Sequence, residues 1–286
     1  MTPYSACINF SGITVRFCFP DRIALPNYLK DLQCEDSGIV DEQYDICLIN
    51  TPLKPSSPPV HTHSGIDIYQ TDKGWLRIYS SRVSEDGCQI ACLLCLDGNN
   101  KLYIPRSLWP HYAANFHCLA YIGGEVLLLK YNALLLHSSV VMHKGKTILF
   151  SGPSGAGKST QADLWVRHLN AELINGDRCV IREQNGTFWG GGSPWCGTSG
   201  IHRKECAPIA GIFLVHQAPE NRVNRLGFES FAPLLSQTIV NSWDPSFMEQ
   251  AAGLFIRLLS QVPVYRLDCR PDEQAVDLAF HSLFSS

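Results

Sequence analysis

Apolar positions come in short, interrupted bursts through the first part of the chain and in longer runs through the rest, so the two parts predict different elements. In the first part, residues 6–10 and 13–19 read as strands joined by Ser11-Gly12, an opening hairpin. Residues 44–50 form another apolar run. It leads into 51–65, where prolines and glycines deny both helix and ladder, and His61 and His63 are expected there as loop residues. Residues 75–80, 89–96 and 101–104 continue the strand pattern. Residues 1–112 are therefore expected to be a small β-rich domain, with no catalytic constellation in view.

From Phe116 the texture changes. Residues 117–131 are apolar enough for one buried helix, although Gly123 and Gly124 interrupt it. Residues 133–142 and 146–151 predict a hairpin about His143-Lys144-Gly145. Beyond it, Ala162, Trp165, Val166 and Leu169 fall at i, i+3, i+4 and i+7, the buried stripe of an amphipathic helix. A strand at 172–175 ends at Gly176-Asp177, and 179–182 and 187–189 flank the hairpin signal Asn185-Gly186. Further on come a strand at 211–216, helical runs from 231 to 261 broken at Asp244-Pro245, a strand at 264–267 and a closing helix near Pro271. Strands alternating with helices make residues 115–286 an α/β domain with a mixed sheet.

Between the predicted strand and the amphipathic helix lies Gly152-Pro153-Ser154-Gly155-Ala156-Gly157-Lys158-Ser159, a full match to the phosphate-binding pattern G-x-x-x-x-G-K-[ST]. Its glycines let backbone N–H groups turn inward around a polyphosphate, Lys158 reaches the β and γ oxygens, and the Ser159 hydroxyl suits magnesium. Thr160 continues this surface at the helix N-terminus, which itself favours anions. The residues from Gly152 to Thr160 are thus the expected site for a nucleoside triphosphate with Mg2+. Asp177 follows the next strand, where a carboxylate can take a hydroxyl proton or join Ser159 on the metal. Capping a turn with Arg178 is its other reading. His137, in the strand paired with the one entering the loop, is either a core histidine or a functional one.

The glycine-dense residues 190–200, around Trp195 and Cys196, suit a loop over substrate, and Cys196 is expected to line a pocket rather than attack. Arg203 and Lys204 read equally as phosphate-neutralising or solvated charges.

Composition narrows the classes. A chain of 286 residues with 45% hydrophobic and 17% charged content is globular, and its net charge of −3 without basic runs speaks against nucleic acid. Its twelve cysteines are scattered, and Cys92 and Cys95 lack a second ligand pair, so the thiols read as reduced and structural. No stretch of eighteen apolar residues occurs and the N-terminus lacks a leader pattern, so no membrane association and a cytoplasmic location are expected.

The order His137-Ser138-Ser139, basic hairpin, Gly152–Ser159, helix, then Ile174-Asn175-Gly176-Asp177-Arg178 resembles the catalytic domain of HPr kinase/phosphorylase, over residues 115–286. The chain is similar in particular to kinase-like proteins of peptide-modification gene clusters. The resemblance implies an α/β P-loop kinase domain of the HPr kinase/phosphoenolpyruvate carboxykinase type behind the β-rich domain; because every phosphate-handling residue falls in the second half, residues 1–112 are expected to recognise the acceptor. It implies an ATP-dependent kinase acting on a hydroxyl, a serine of a protein or peptide or a small molecule. Asp177, His137 and Lys158 would be the catalytic residues, and the protein would form a homo-oligomer. Two departures stand out: the family's paired aspartates are Gly176-Asp177 here, and its phosphorylase signature is replaced by residues 193–200.

Among rivals, a GTPase would carry Asn-Lys-x-Asp and a transporter ATPase an LSGGQ-like signature, and neither occurs. A nucleotide-binding module without catalysis, within a peptide-modification complex, is the alternative from another class.

Overall fold

The computed structural model describes residues 4–114, 116–197 and 200–285, without the side chains of Ser81 and Arg82. The chain divides into two compact units, Met1–Gly124 and Glu125–Ser286. Asn115, the expected start of the second domain, lies outside the described residues.

In the first unit, β1 (Tyr4–Phe10) and β2 (Ile13–Phe19) form the hairpin that their alternation predicts. Ser11 and Gly12 both take positive φ, 51° and 76°, which matches a two-residue turn to the twist of its strands. Ile13, Val15, Phe17 and Phe19 all bury one face of β2. With β3 (Gln33–Cys34), β4 (Glu42–Ile49), β5 (His61–His63), β6 (Ile66–Gln70), β7 (Gly74–Val83), β8 (Gln89–Cys95) and β9 (Asn99–Pro105) they make one mixed sheet in the order β3-β1-β2-β4-β9-β8-β7-β6-β5. The short helix α1 (Trp109–Ala114) follows. Phe17 anchors the core, stacked on Tyr44 at 5.5 Å and edge-on to Phe116 at 5.0 Å.

Two expectations fail for local reasons. His61 and His63 are strand residues, because the prolines stop at Pro59 and Ser64-Gly65, with φ of 49° and 76°, folds β5 back onto β6. Residues 117–131 do not make one helix. A 3-10 turn (His117–Tyr121) and α2 (Gly124–Lys130) are separated at Gly123, whose φ is 63° and where a Cβ would stand 2.9 Å from Leu94 Cδ1.

The second unit contains β10 (Ala133–His143), β11 (Lys146–Ser151), α3 (Lys158–Leu169), β12 (Glu172–Asn175), β13 (Arg178–Gln184), β14 (Thr187–Gly191), β15 (Cys206–Gln217), β16 (Arg222–Leu226), α4 (Phe231–Ser236), α5 (Pro245–Gln261), β17 (Val264–Cys269) and α6 (Glu273–Phe284). Its mixed sheet runs β11-β10-β13-β14-β15-β17-β16, with β12 on β10 and β15 pairing back to β11 in parallel. One face packs a core of Leu136, Val140, Leu149 and Leu214 under α4 and α5. The other packs Phe150, Trp165, Phe213 and Tyr265 under α3 and α6. Asp244 caps α5 by accepting from Ser246 N and Phe247 N, with Pro245 at the first helical position, so the expected break at Asp244-Pro245 is a helix start. The polar edge strand β16 shows no apolar alternation, and sequence reading missed it.

The feature that positions a site is the way β10 is flanked. Along one edge it pairs with β13 up to His137 and with β12 from Val140, and the Gly176-Asp177 turn falls between the two. Along the other edge it pairs with β11 from Ser138 onward. Where these pairings meet, His137 N donates to Gln237 O at 2.8 Å and Ser138 N to Asp177 O at 2.9 Å. Among the described residues, no helix is long and apolar enough to cross a membrane.

Candidate functional site

The loop between β11 and α3 starts beside this point, because Ser151 at the end of β11 opposes Ser138. Gly152 has φ of 147°, and a Cβ there would meet Val215 O at 3.1 Å and Ala156 Cβ at 3.3 Å, so only glycine lets the loop lie this close to β15. Gly155 and Gly157 also have positive φ, 79° and 104°. Gly157 is the N-cap of α3, and no described side chain caps it, so the first-turn amides face the loop's interior and solvent. Gln217, at the end of β15, donates to Gly155 O at 2.7 Å and ties the loop to the neighbouring strand.

Lys158 is 7% exposed and arcs back over the loop, donating to the carbonyls of Gly152 and Pro153 at 3.0 Å each. Burial lowers its pKa, and the nearby Asp177 carboxylate works against that shift. Ser159 and Thr160 are exposed. The Ser159 hydroxyl lies 3.5 Å from Ser139 Oγ, which donates to Gly176 O at 2.9 Å, so the helix start and the Asp177 turn share a partner. Pro153, Ser154 and Ala156 complete the loop rim.

Asp177 sits between two basic groups. Its Oδ1 is 3.4 Å from His137 Nε2 and its Oδ2 is 3.2 Å from Arg178 Nε. His137 is held below its ordinary pKa by burial first and then by the Lys158 charge, against the pull of Asp177. Burial and Lys158 thus favour the neutral imidazole. The fold thus brings His137, Lys158 and Asp177 into one electrostatic neighbourhood, with Ser159 linked to it through Ser139. Among the described residues, no three His, Cys, Asp or Glu side chains group as a metal cage. A hydroxyl at Ser159 and a carboxylate at Asp177 are the sparse oxygen set that magnesium takes when phosphates supply the remaining ligands.

Three residues that sequence reading passed over hold Asp177 in place. Asn175, fully buried, accepts from Asp177 N and Arg178 N at 2.9 Å each and donates to Ser193 O at 3.2 Å and Trp195 O at 3.4 Å. Ser193, also buried, lies with its Oγ 2.8 Å from Arg178 O. Gly197, with φ of 57°, packs so closely that a Cβ would stand 2.8 Å from Asp177 Cβ and Cγ. The Asn-Gly-Asp order carries a turn signal for Asn175. Ser193 and Gly197 lie in the glycine-dense segment 190–200, but nothing in it marks their contact with the Asp177 turn.

The expected loop 190–200 is narrower than its glycines suggest, because Gly190 and Gly191 belong to β14. Residues 193–197 run against Asp177, and Thr198 and Ser199 lie outside the described residues. Burial, with the Asp177 charge, pushes the Cys196 thiol up, which suits a wall and not a nucleophile. Arg203 pairs with Glu172 at 3.6 Å, at the end of β12 remote from Asp177, and Lys204 is exposed, so both read as solvated charges.

Fold and site together define a mixed α/β protein whose second unit carries a glycine-rich strand–loop–helix beside a histidine–aspartate pair. No protein-family model matches the chain, and no curated protein matches it. Among solved structures, the HPr(Ser) kinase/phosphatase from Coxiella burnetii aligns with 52% of this chain and 96% of its own, at 11% identity and a TM-score of 0.29. A likeness that loose carries no argument about function.

Proposed function

We propose that the second unit binds ATP with magnesium along Gly152–Thr160 and transfers a phosphoryl group to a hydroxyl of a protein, peptide or small molecule. The observation that carries this reading is the Asp177–His137 contact at 3.4 Å, beside Lys158 and the uncapped start of α3. Bound there, ATP supplies the transferable group and magnesium offsets its charge. Lys158 exchanges its two loop carbonyls for phosphate oxygens, and Ser159 holds the metal side. An acceptor hydroxyl gives its proton to Asp177, whose carboxylate is oriented by neutral His137 and by Arg178. The single carboxylate of Gly176-Asp177, in place of a pair, favours a second reading as a nucleotide-binding module.

Labelled-phosphate transfer from ATP to a panel of proteins, peptides and free serine separates the two, run beside calorimetric ATP titration. The kinase reading expects transfer that Asp177→Asn reduces by about 10²–10⁴-fold with ATP affinity retained. ATP binding without transfer to any acceptor supports the module; no ATP binding overturns both.

A further inference from the structure

The first unit holds a pair of thiols that the site above does not use. Cys7 on β1 and Cys34 on β3 are directly opposed in an antiparallel ladder. On its other side Cys7 faces Arg16 of β2, so Cys34, Cys7 and Arg16 stand in one row across three strands. Directly opposed residues in such a ladder have Cα atoms about 4.5–5.5 Å apart. That spacing falls inside the window of roughly 4.4–6.8 Å that a disulfide spans. Among the described strands no other two cysteines face each other in register.

The surroundings suit exchange as well as geometry. Asp36 grips Arg16 through Nε at 2.9 Å and Nη2 at 2.5 Å, and both Arg16 and Asp36 bear on the Cys7 sulfur. Cys7 is 2% exposed and Cys34 is half-buried, and both border a surface hollow also lined by Lys30, Gln33 and Asp36. The more open thiol can therefore meet a small reagent, and the enclosed one can resolve the product.

We propose that Cys7 and Cys34 are a dithiol that a low-molecular-weight disulfide of the glutathione class converts to a cross-strand disulfide, fastening the edge strand β3 to β1. The Cys34 thiolate attacks one sulfur of the small disulfide; a Cys34–S–S–R bond forms and one RS⁻ leaves. The Cys7 thiolate, beside Arg16, then attacks the Cys34 sulfur, forming the Cys7–Cys34 bond and expelling the second RS⁻. Two protein thiols are oxidised, the small disulfide is reduced to two thiols, and the two protein protons end on those thiols. Burial pushes both protein thiols up and Asp36 adds to it, so the pair responds to sustained redox poise and not to a brief pulse. Because β3 is only two residues long, the bond would fix a weakly paired sheet edge.

The test equilibrates the reduced full-length protein in a series of reduced and oxidised glutathione, quenches with acid, alkylates, and maps the peptides by mass. The Cys7 and Cys34 peptides should become joined, with loss of two hydrogens, before any other pair among the twelve cysteines. The closed loop of roughly 27 residues should raise the melting temperature of the first unit by on the order of 10 °C under non-reducing conditions. Cys34→Ser should abolish both effects while leaving the reduced protein within about 2 °C of wild type. Cys7→Ala should leave a lasting glutathione adduct on Cys34. Earlier joining of other cysteines, a persistent Cys34 adduct in the wild type, or both thiols still alkylated at the most oxidising step would each overturn the assignment.

Discussion

Replacing Gly197 by alanine tests the packing that fixes Asp177. The new Cβ would stand 2.8 Å from Asp177 Cβ and Cγ and 3.2 Å from its Oδ1. Ordinary carbon contacts begin near 3.5 Å, so either the aspartate or residues 195–197 must move by about 0.7 Å. The backbone adds its own cost, since φ of 57° is left-handed and costs an alanine roughly 1–2 kcal/mol. Part of that is offset by about 0.4–1 kcal/mol from a less flexible unfolded chain. Overpacking contributes a further ~1–3 kcal/mol, for a total near 2–3 kcal/mol and a fall in Tm of roughly 4–12 °C. Gly186→Ala is the control: φ there is 73° and nothing lies within 4 Å of the added Cβ, so it carries the backbone cost alone. A displacement approaching 1 Å at a reacting carboxylate would cost about 10²-fold in phosphoryl transfer. Calorimetric melting of the two variants, with the NMR shift of the His137 ring as a local reporter, measures the difference. Equal melting temperatures for the two variants and an unmoved His137 signal would refute the contact.

Three further outcomes follow from the same geometry. Lys158→Met should weaken ATP binding by at least tenfold, and by removing the repulsive charge it should raise the His137 pKa in an NMR titration; a His137 pKa that stays or falls contradicts the electrostatic neighbourhood. His137 in the folded state lies below its ordinary value, so the unfolded chain takes up the proton first as pH falls. Stability contributed by the neutral ring is therefore complete above about pH 6.5 and declines below it, and urea midpoints between pH 7 and 5 should fall less steeply in His137→Gln than in wild type. Asn175→Ala strips partners from Asp177 N, Arg178 N and Trp195 O in a fully buried position, at a cost of about 2–4 kcal/mol, read as a lowered urea midpoint; a change under 0.5 kcal/mol would mean the turn holds without it.

What the sequence made legible, and what it hid, divides by the range of the interaction. Hairpins at Ser11-Gly12, Lys144-Gly145 and Asn185-Gly186 declare themselves, because positive φ at each turn residue is a local demand written in the residues themselves. The same holds for the glycine loop, whose strand and helix flank it directly. The mixed α/β class follows from such segments in series. The hairpin at His61–His63 was masked by prolines that lie just outside it, and the break at Gly123 depends on Leu94, far away in the chain. Polar β16 has a partner, β17, but no pattern that predicts one.

The site shows the same division at finer scale. His137, Lys158 and Asp177 are legible as residue types beside strong local signals, yet their proximity is a property of β10, which is flanked by β13 and then β12 along one edge and by β11 along the other. The Gly176-Asp177 turn falls between β13 and β12, so Ser138 N bonds Asp177 O while Ser138 also opposes Ser151, the last residue before Gly152. Asn175 and Ser193 then hold the Asp177 turn through buried hydrogen bonds between segments that no sequence spacing relates. Chemistry-bearing residues are thus chosen locally, whereas the precision of their placement comes from long-range pairing, and for that reason Gly197 and Asn175 are more discriminating tests of the site than its charged members.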